Sequence, residues 1–572
     1  MKNKLFCLSF IILFGFATSI CTAKYSGGDG SESNPYRIAN AYDMNDIGLH
    51  DEDWSSHFVL TDDINLAQFT GTKFNIIGVP YTPPFTGVFD GNDYTISNFT
   101  YTSPDANFIG LFAFVGKNGK VKQLVMQNVN ASGNKYTAGL AGLNLGKIYD
   151  CTITSTISGN HSTGGLAGGN YGEISDCSVT AQVQGVDETG GLVGDNSGTI
   201  RDCYANSNVD GNSVTGGLVG TNIGLISDGL ISLSYATGEV SGYDLVGGLV
   251  GWNVYGAVSY CYTTGIVEGN NGAGGLVGWN VYSTISDCYS KASVLGDNHI
   301  GGLVGDNGRS TISNCYSAGV VDGNDHMGGL IGDDHDGTIT DCFWDIESSG
   351  QSSSDGPEVG KSTADMQTES TFTSAGWDFV GETANGSDDI WKMCYMPDYP
   401  HLWWEQCPRP SLEMPMHFTP RMLNPKSKGK WVKAHFILPE GFTVEDVNTN
   451  SPAKIVEPFM ADSNYMDVFI NEDGLVKIMA AFDRAVFCSN GSMLEDIVVI
   501  ARLTTGQYFY GTDTIRIKTN NLEYLAVLTS YWLEAGCGEP DWCEGADLDQ
   551  SSVVDFIDFA FFDGCCLEFI QN

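Results

Sequence analysis

Short runs of alternating apolar and polar residues fill the middle of the chain, and Gly or Asn interrupts them at regular intervals. Alternation with a period of two predicts β-strands, and the Gly and Asn residues between the runs predict tight turns. The string Gly-Gly-Leu-Val-Gly marks a repeat of eight copies, spaced by 26, 26, 26, 31, 27, 27 and 27 residues. The second residue of each copy is Gly139, Gly165, Gly191, Gly217, Gly248, Gly275, Gly302 and Gly329.

A unit of this length is too short for a propeller blade of ~40 residues, and it fits one coil of a parallel β-helix. The one long spacing holds five extra residues around 227–231, which predict a loop at one corner. Coils stack at about 4.8 Å, so equivalent residues form columns along the solenoid.

Two columns are predicted to be structural, and the second of them is also predicted to be buried. The asparagine ladder, whose amides can hydrogen-bond from coil to coil, comprises Asn144, Asn170, Asn196, Asn222, Asn253, Asn280 and Asn307 and ends at Asp334. The cysteine ladder, which shares its strand face with Ala, Gly and Val, comprises Cys151, Cys177, Cys203, Cys261, Cys288, Cys315 and Cys342, with Ser234 in the inserted coil. Inert buried thiols are favoured over metal ligation or disulfides, because in-register parallel neighbours offer poor disulfide geometry.

The opposite strand face carries an aromatic column, the tyrosine strip: Tyr204, Tyr235, Tyr262, Tyr289, Tyr316 and Phe343. If the cysteines point inward, these rings point outward and form an exposed strip over six coils. Such a strip can stack on sugar rings or on a partner, and it can equally serve only to stabilise the sheet face. Trp252 and Trp279 form a shorter outer pair with the same two interpretations.

Two further sets of residues are candidate metal ligands. An acidic column precedes the cysteines at Asp150, Asp176, Asp202, Asp287, Asn314 and Asp341. It could bind Ca²⁺ weakly, but capping of a bend under solvent screening is the favoured interpretation. His299 and His326 occupy equivalent places on neighbouring coils, and without a third ligand they are interpreted as solvent-facing turn residues rather than a zinc site.

The charge balance excludes one class of partner. Lys and Arg number 27 and Asp and Glu number 69, which gives a formal net charge of −42. Nucleic-acid binding needs a basic surface, so nucleic acid is not an expected partner.

The N-terminus has the pattern of a secretory signal peptide. Lys2 and Lys4 precede an apolar stretch over 5–16, which is too short to span a membrane of ~20 residues. We expect cleavage near Ala23, and we expect no transmembrane segment in the mature chain. The predicted location is secreted or at the cell surface, where disulfides form.

The repeat resembles the GLUG-motif family over 139–343, and the segments on either side resemble the usual neighbours of such repeats. The resemblance implies a right-handed β-helix on an exported bacterial protein. GLUG repeats occur beside adhesin modules and in some secreted metallopeptidases. The chain has no His-Glu-x-x-His motif, so the peptidase association does not transfer.

Residues beyond the repeats predict two further modules. Alternating strands over 416–518 predict a β-sandwich. A 12-residue acidic loop then places candidate Ca²⁺ ligands at Asp547, Asp549, Ser551, Val553 (through its carbonyl), Asp555 and Asp558. The loop and its apolar helix resemble a dockerin repeat, which implies a cohesin-like partner. Ser552 stands where the family has its turn Gly, and one loop is present where the family has two.

The predicted fold class is therefore all-β: a right-handed parallel β-helix, then a β-sandwich, then a small α-helical Ca²⁺-loop module. The cysteines Cys537, Cys543, Cys565 and Cys566 crowd that last module, and Cys394 with Cys407 is a plausible clip on the solenoid cap. The expected divisions are 1–23 signal peptide, 24–137 N-terminal cap and first coils, 138–345 repeats, 346–407 C-terminal cap, 408–520 sandwich and 521–572 dockerin-like module.

Two functions from different classes fit these features. The favoured one is a non-enzymatic surface or matrix protein that acts in adhesion or that binds a glycan or a protein partner, with neutral polysaccharide as a possible ligand and Ca²⁺ in the tail. The alternative is a β-helix glycosidase or polysaccharide lyase. A lyase needs basic residues near its site, and only Lys147, Arg201, Lys291 and Arg309 are basic within 139–343.

Overall fold

The computed structural model describes residues 24–79, 83–224, 229–394, 396–423, 429–488 and 493–517. They form two compact units, one made of the residues up to Met393 with Asp398–Glu405, the other of Cys394–Pro397 with the residues from Gln406 onward. The predicted all-β class is confirmed, and the first unit is a β-solenoid of about 10 turns. The signal peptide and the dockerin-like module lie outside the described residues.

One parallel sheet of nine strands runs along the solenoid, and each coil contributes one strand to it. Its strands are Phe112–Val115, Ala141–Asn144, Ala167–Asn170, Val193–Asn196, Val219–Ile223, Val250–Val254, Val277–Val281, Val304–Gly308 and Ile331–His335. The register is kept from coil to coil, since Val250 pairs with Val277 and Asn253 with Asn280.

A second sheet of 33 strands contains the other faces of the coils. Its N-terminal strands are Tyr36–Ile38, His57–Leu60, Ile64–Asn65, Val88–Asp90, Thr95–Ser97 and Thr100–Thr102. Strands that follow the asparagine ladder are Lys120–Ser132, Lys147–Ser158, Glu173–Ser175, Thr199–Arg201, Leu230–Ser232, Ala257–Ser259, Thr284–Ser286, Thr311–Ser313 and Thr338–Thr340. Strands that carry or extend the tyrosine strip are Ser178–Gln184, Tyr204–Asn206, Tyr235–Thr237, Tyr262–Thr263, Tyr289–Ser290, Tyr316–Ser317, Phe343–Asp345 and Val359–Lys361. Strands that close the coils are Lys135–Thr137, His161–Gly164, Asp187–Gly190, Asn208–Asp210, Thr215–Gly216, Glu239–Gly247, Ile266–Gly274, Ser293–Gly301, Val321–Asp322 and Asp325–Gly328.

The repeated glycine pair is required by close backbone stacking. A Cβ on Gly217 would lie 2.0 Å from the carbonyl oxygen of Gly248 in the next coil, and one on Gly248 would lie 2.1 Å from that of Gly275. No side chain fits at such a separation, so the repeat keeps glycine where one coil rests on the next.

The core of the solenoid is apolar and continuous. Its columns are fully buried Leu, Val and Ile residues together with the cysteine ladder. The asparagine ladder is buried as well, and each amide donates to the next coil: Asn253 Nδ2 to Asn280 Oδ1 and Asn280 Nδ2 to Asn307 Oδ1, both at 2.9 Å. The predicted structural role of this ladder is confirmed.

Short helices flank the solenoid at Ala41–Ile47, Ile346–Ser349, Thr363–Met366 and Glu369–Thr373, with a 3₁₀ turn at Asp51–Asp53. Strands Trp391–Lys392 and His401–Leu402 pair as an antiparallel two-stranded sheet. We call the part of the first unit from Ile346 to Glu405, without 394–397, the C-terminal cap. Among the described residues, no helix is both long enough and apolar enough to cross a bilayer.

The second unit contains two sheets that share one buried cluster. One sheet consists of Leu412–Glu413, Met422–Leu423, Lys454–Glu457, Ala461–Asp462, Met493–Arg502 and Tyr508–Ile517. The other consists of Met416–Thr419, Trp431–Ile437, Tyr465–Ile470 and Val476–Asp483. A helix at Arg484–Cys488 and a 3₁₀ turn at Val444–Asp446 complete it, and a disulfide joins Cys394 to Cys407, as the sequence suggested.

Candidate functional site

The tyrosine strip forms as a continuous stack. Tyr204, Tyr235 and Tyr262 have ring centroids 5.0 and 4.8 Å apart with interplanar angles of 4–5°. The stack continues through Tyr289 to Tyr316 at 5.1 and 4.8 Å. In-register parallel pairing of the coils places these rings one above the next, as the column predicted.

The expected exposure of the whole strip is wrong. Tyr289, Tyr316 and Phe343 are buried, because the C-terminal cap packs its own aromatic residues over them. Tyr316 donates from its hydroxyl to the Pro400 carbonyl at 2.6 Å, and the Phe343 ring meets Phe372 at 5.3 Å. These three positions are part of a core and are not a binding surface.

The other end of the strip stays accessible. Tyr204 is 40% exposed and Tyr235 is half-buried, and Trp404 of the cap leans over Tyr235 and Tyr262 at 6.2 and 5.6 Å. Solvent exposure along the strip is therefore greatest at Tyr204 and decreases toward Tyr262.

A shallow groove of about 400 Å³ lies on the coil that contains Tyr204 and on the coils before it. Its lining residues carry amides, hydroxyls or short apolar side chains: Asn128, Val129, Thr154, Ser155, Thr156, Thr180, Ala181, Gln182, Asn206 and Asn208. These lining residues are neutral, although the chain as a whole has a formal net charge of −42. Amides and hydroxyls supply both donors and acceptors, which suits a ligand rich in hydroxyl groups.

Strand register joins this groove to the strip. Thr156 pairs with Gln182, and Gln182 pairs in turn with Asn208, so one row of polar side chains crosses three coils. Tyr204 lies on the same strand as the lining residue Asn206, two positions away, and both side chains are exposed. An aromatic face thus adjoins a neutral hydrogen-bonding groove on one surface of the solenoid. Sequence columns alone did not reveal the groove. Its lining residues Asn128 and Thr154 lie where Lys147–Ser158 changes register against Lys120–Ser132.

The cysteine ladder consists of free, buried thiols. Each thiol donates to the carbonyl oxygen two residues earlier, as Cys288 does to Ser286 at 3.1 Å. Burial raises the pKa of Cys288 and Cys315 well above the ordinary thiol value, which keeps them protonated and unreactive. The prediction of inert thiols is supported by this geometry.

A buried charged network under the cap was missed by the sequence analysis. His401 lies between Asp398 and Glu405, with Nε2 3.0 Å from the first carboxylate and Nδ1 3.2 Å from the second. Tyr289 donates to Glu405 at 2.7 Å, and Lys291 Nζ lies 3.3 Å from Asp398. This network connects the cap to the tyrosine strip. Asp398, His401 and Glu405 are close in sequence, but Tyr289 and Lys291 lie more than 100 residues before them, so the sequence did not show that the two groups meet.

Its electrostatics follow from burial and pairing. Burial acts to raise the pKa of Asp398, but the hydrogen bond from His401 and the charge of Lys291 outweigh it and lower that pKa to about 2. Burial acts to lower the pKa of His401, and its hydrogen bonds to Asp398 and Glu405 reverse the sign and raise it. Charged partners therefore stabilise each other beneath the cap.

Two further aromatic pairs are stacked across neighbouring coils. Trp252 and Trp279 lie 5.5 Å apart at 9°, and Tyr255 and Tyr282 lie 5.2 Å apart at 7°. Both tyrosines of the second pair are nearly half exposed. The Trp pair was noted from the sequence, and the Tyr pair was not.

The acidic column occupies bends, as favoured, but Asp287 is buried, so the expected screening by solvent is wrong for that residue. Asp150, Asp176 and Asp202 have φ of 54°, 53° and 52°, which is the left-handed conformation that Asp and Asn tolerate better than other side chains. Among the described residues, the group that could hold a metal ion is instead His299, His326 and Asp333. The predicted Ca²⁺ ligands Asp547, Asp549, Ser551, Val553, Asp555 and Asp558 lie outside the described residues, so the Ca²⁺ site stays a prediction.

Comparison with known proteins shows what the repeat is similar to. The GLUG motif profile matches residues 159–184 and 269–295. Halomucin of Haloquadratum walsbyi is 32% identical over 136 residues, which is 23% of this chain and 2% of halomucin. A provisionally named Gly-rich membrane protein of Evansella cellulosilytica is 34% identical over 155 residues, 26% of this chain and 18% of that protein. The matches thus span a small part of the relatives' own length.

A crystal structure of a provisionally named immunoglobulin A1 protease from Bacteroides ovatus aligns with 67% of this chain and 96% of its own, at 17% identity and a TM-score of 0.31. The GLUG profile falls on the coils whose columns are described above. Together, the matched segments and the eight copies of the motif identify the chain as one that carries GLUG repeats.

Proposed function

We propose that the chain is an extracellular or surface repeat protein whose solenoid binds a neutral polysaccharide without turning it over. The observation that carries the proposal is the neutral groove lined by Asn, Gln and Thr beside the exposed ring of Tyr204. Aromatic faces stack on the apolar faces of sugar rings, and amides and hydroxyls exchange hydrogen bonds with sugar hydroxyls. The surface-type names of the two sequence relatives fit an extracellular setting.

The polarity of the groove favours this ligand class over charged ones. A basic residue would be needed to hold an acidic sugar, and the lining residues are uncharged. Glycoside hydrolysis needs a pair of placed carboxylates, which the groove lining does not offer. We therefore propose binding rather than catalysis, and the enzymatic alternative is not favoured.

A glycan array probed with the intact protein tests the proposal. We expect binding to neutral polysaccharides, and we expect Tyr204→Ala and Gln182→Ala each to weaken it about tenfold, since one stacked ring or one desolvated amide contributes ~1 kcal/mol or more. Tyr243→Ala is the matched control, because Tyr243 is 56% exposed and is not a groove residue. Absence of glycan binding by the unaltered protein, or equal losses in the control and in Tyr204→Ala, would overturn the proposal.

We further propose that the C-terminal loop binds Ca²⁺ through Asp547, Asp549, Ser551, Val553, Asp555 and Asp558 and that the dockerin-like module docks onto a cohesin-like partner or a matrix component. Support comes from the spacing of oxygen ligands in the sequence. Calorimetry on the intact protein should show one site that Asp547→Ala with Asp558→Ala abolishes and that Asp541→Asn leaves unchanged. Absence of heat at millimolar Ca²⁺ would refute the proposed site.

A further inference from the structure

Two histidines come together near the C-terminal end of the repeats. His299 and His326 occupy equivalent positions on adjacent coils, and both have left-handed backbone, with φ of 53° and 49°. Their rings meet edge to face with centroids 5.0 Å apart. The preceding coil has Gly272 at this position, also at positive φ. The backbone conformation is therefore a property of the repeat, whereas the histidines are specific to these two coils.

A carboxylate from the other sheet completes a group of three. Asp333 lies on strand Ile331–His335, and its Oδ2 is 3.4 Å from His299 Nε2. His299, His326 and Asp333 each offer one ligand atom, and these atoms all lie within 4.8 Å of one another. Two ligands of a tetrahedral zinc ion with bonds of ~2.1 Å are about 3.4 Å apart, so the closest pair already has the right separation.

We propose that His299, His326 and Asp333 bind a divalent transition-metal ion of the Zn²⁺ type, with a fourth position open to solvent. Imidazole and carboxylate are the ligands of three-residue zinc sites, and nitrogen donors favour such an ion over Ca²⁺ or Mg²⁺. The His326 side chain is 52% exposed and that of His299 is 29% exposed, so the ion can enter from solvent. The third ligand is what the sequence analysis lacked.

Two further groups lie where a zinc site has its supporting residues. Asp306 is stacked on Asp333 in the nine-stranded sheet, and its Oδ2 lies 3.9 Å from His299 Nδ1, the ring nitrogen that faces away from Asp333. The other oxygen, Oδ1, is buried without a hydrogen-bond partner among the described residues. A carboxylate behind a histidine ligand orients its ring by accepting a hydrogen bond from the ring N–H, and the 3.9 Å separation must shorten for Asp306 to act as such a positioning residue. His335 approaches Asp333 Oδ2 from the other side, with Nε2 at 3.4 Å.

The test is zinc titration of the intact, chelator-treated protein against a competing chromophoric chelator, with excess Ca²⁺ present to fill the acidic tail loop. The variants are His299→Gly, which copies the residue of the preceding coil and keeps the left-handed backbone, and Asp333→Asn. His161→Ala is the matched control, because His161 faces one carboxylate, Asp187, at 3.3 Å and, within the part of the chain that the structure describes, belongs to no group of three possible metal ligands. Far-UV circular dichroism checks that each variant remains folded.

We expect the unaltered protein and His161→Ala to bind one more equivalent of Zn²⁺ than His299→Gly and Asp333→Asn do. Asp306→Asn should keep that equivalent with affinity weakened about tenfold or more. Co²⁺ substitution separates this site from thiolate sites, because a nitrogen and oxygen site gives no sulfur-to-metal charge-transfer band. Equal zinc stoichiometry and affinity in the unaltered protein and in folded His299→Gly would overturn the proposal, and so would an extra equivalent whose Co²⁺ spectrum shows thiolate ligation.

Discussion

Replacing Asn280 by Ala measures how much the buried asparagine ladder stabilises the solenoid. Asn280 is fully buried, accepts a hydrogen bond from Asn253 at 2.9 Å and donates one to Asn307 at 2.9 Å. Alanine removes both bonds and leaves a buried amide donor on Asn253 and a buried acceptor on Asn307. Two lost bonds at ~1 kcal/mol each and two unsatisfied buried groups at ~1 kcal/mol each give a loss of about 4 kcal/mol.

The matched control is Asn160→Ala. Asn160 donates to Asn134 of the neighbouring coil at 3.0 Å, so the chemistry of the bond is the same, but this pair is exposed to solvent. Water replaces the lost partner there, and we expect a change within ~0.5 kcal/mol. Burial, rather than the bond itself, is the variable that separates the two variants.

Urea unfolding followed by tryptophan fluorescence is the assay, and Trp279, the neighbour of Asn280 in the chain, reports on the altered coil. A solenoid can unfold segment by segment, so hydrogen exchange of the strands around residue 280 should accompany the unfolding curve. Exchange should accelerate in the coils next to Asn280 and remain unchanged in distant coils. A loss below ~1 kcal/mol, or one equal to that of Asn160→Ala, would refute the reasoning.

The charged network under the cap should make cap stability depend on pH. The pKa of His401 is raised, so its contribution to cap stability is complete below the ordinary value of 6.5 and is lost as the pH rises through the folded value. The pKa of Asp398 is lowered to about 2, so its contribution to cap stability is present above 3.8 and is lost as the pH falls toward 2. Protection of the cap amides, taken relative to their intrinsic exchange rate at each pH, should therefore be greatest between these limits. His401→Gln should remove the alkaline loss of protection, and an unchanged profile in that variant would contradict the assignment. The cysteine ladder should resist iodoacetamide in the folded protein and react fully in urea, and rapid native labelling of any ladder thiol would contradict its burial. Gly217→Ala should destabilise the solenoid by about 1–3 kcal/mol, since the new Cβ would lie 2.0 Å from the Gly248 carbonyl oxygen. The control is Gly376→Ala in the cap, where the new Cβ would meet nothing within 4 Å and the only cost is the backbone strain of the positive φ. Equal destabilisation by the two glycine variants would show that stacking contact is not the cause.

The repeat was predictable from sequence because its physics is local and periodic. Each coil repeats Gly, Leu, Asn and Cys at the same places, and parallel strands at a fixed spacing turn each place into a column. The asparagine and cysteine ladders follow directly, and both have the predicted roles. The bends at the acidic column follow too, because Asp and Asn tolerate the left-handed backbone found there.

The repeat did not reveal which residues of the tyrosine strip are buried. The sequence places six aromatic residues on one outward face, but it does not say what covers them. The cap buries Tyr289, Tyr316 and Phe343 through residues about 30 to 115 positions further along the chain, including Phe372 and Glu405. These contacts between the cap and the tyrosine strip do not repeat from coil to coil, so the columns of the repeat do not reveal them.

The sequence by itself determined the solenoid, its period and which side chains face inward, since strand alternation and coil stacking leave no other arrangement of a regular repeat. Only the tertiary structure decided where the surface is accessible and which side chains meet across faces. The groove beside Tyr204 is lined by residues from several coils, and Asp333 approaches His299 from a different sheet. Both depend on three-dimensional proximity between faces of the coil, which a one-dimensional repeat does not encode.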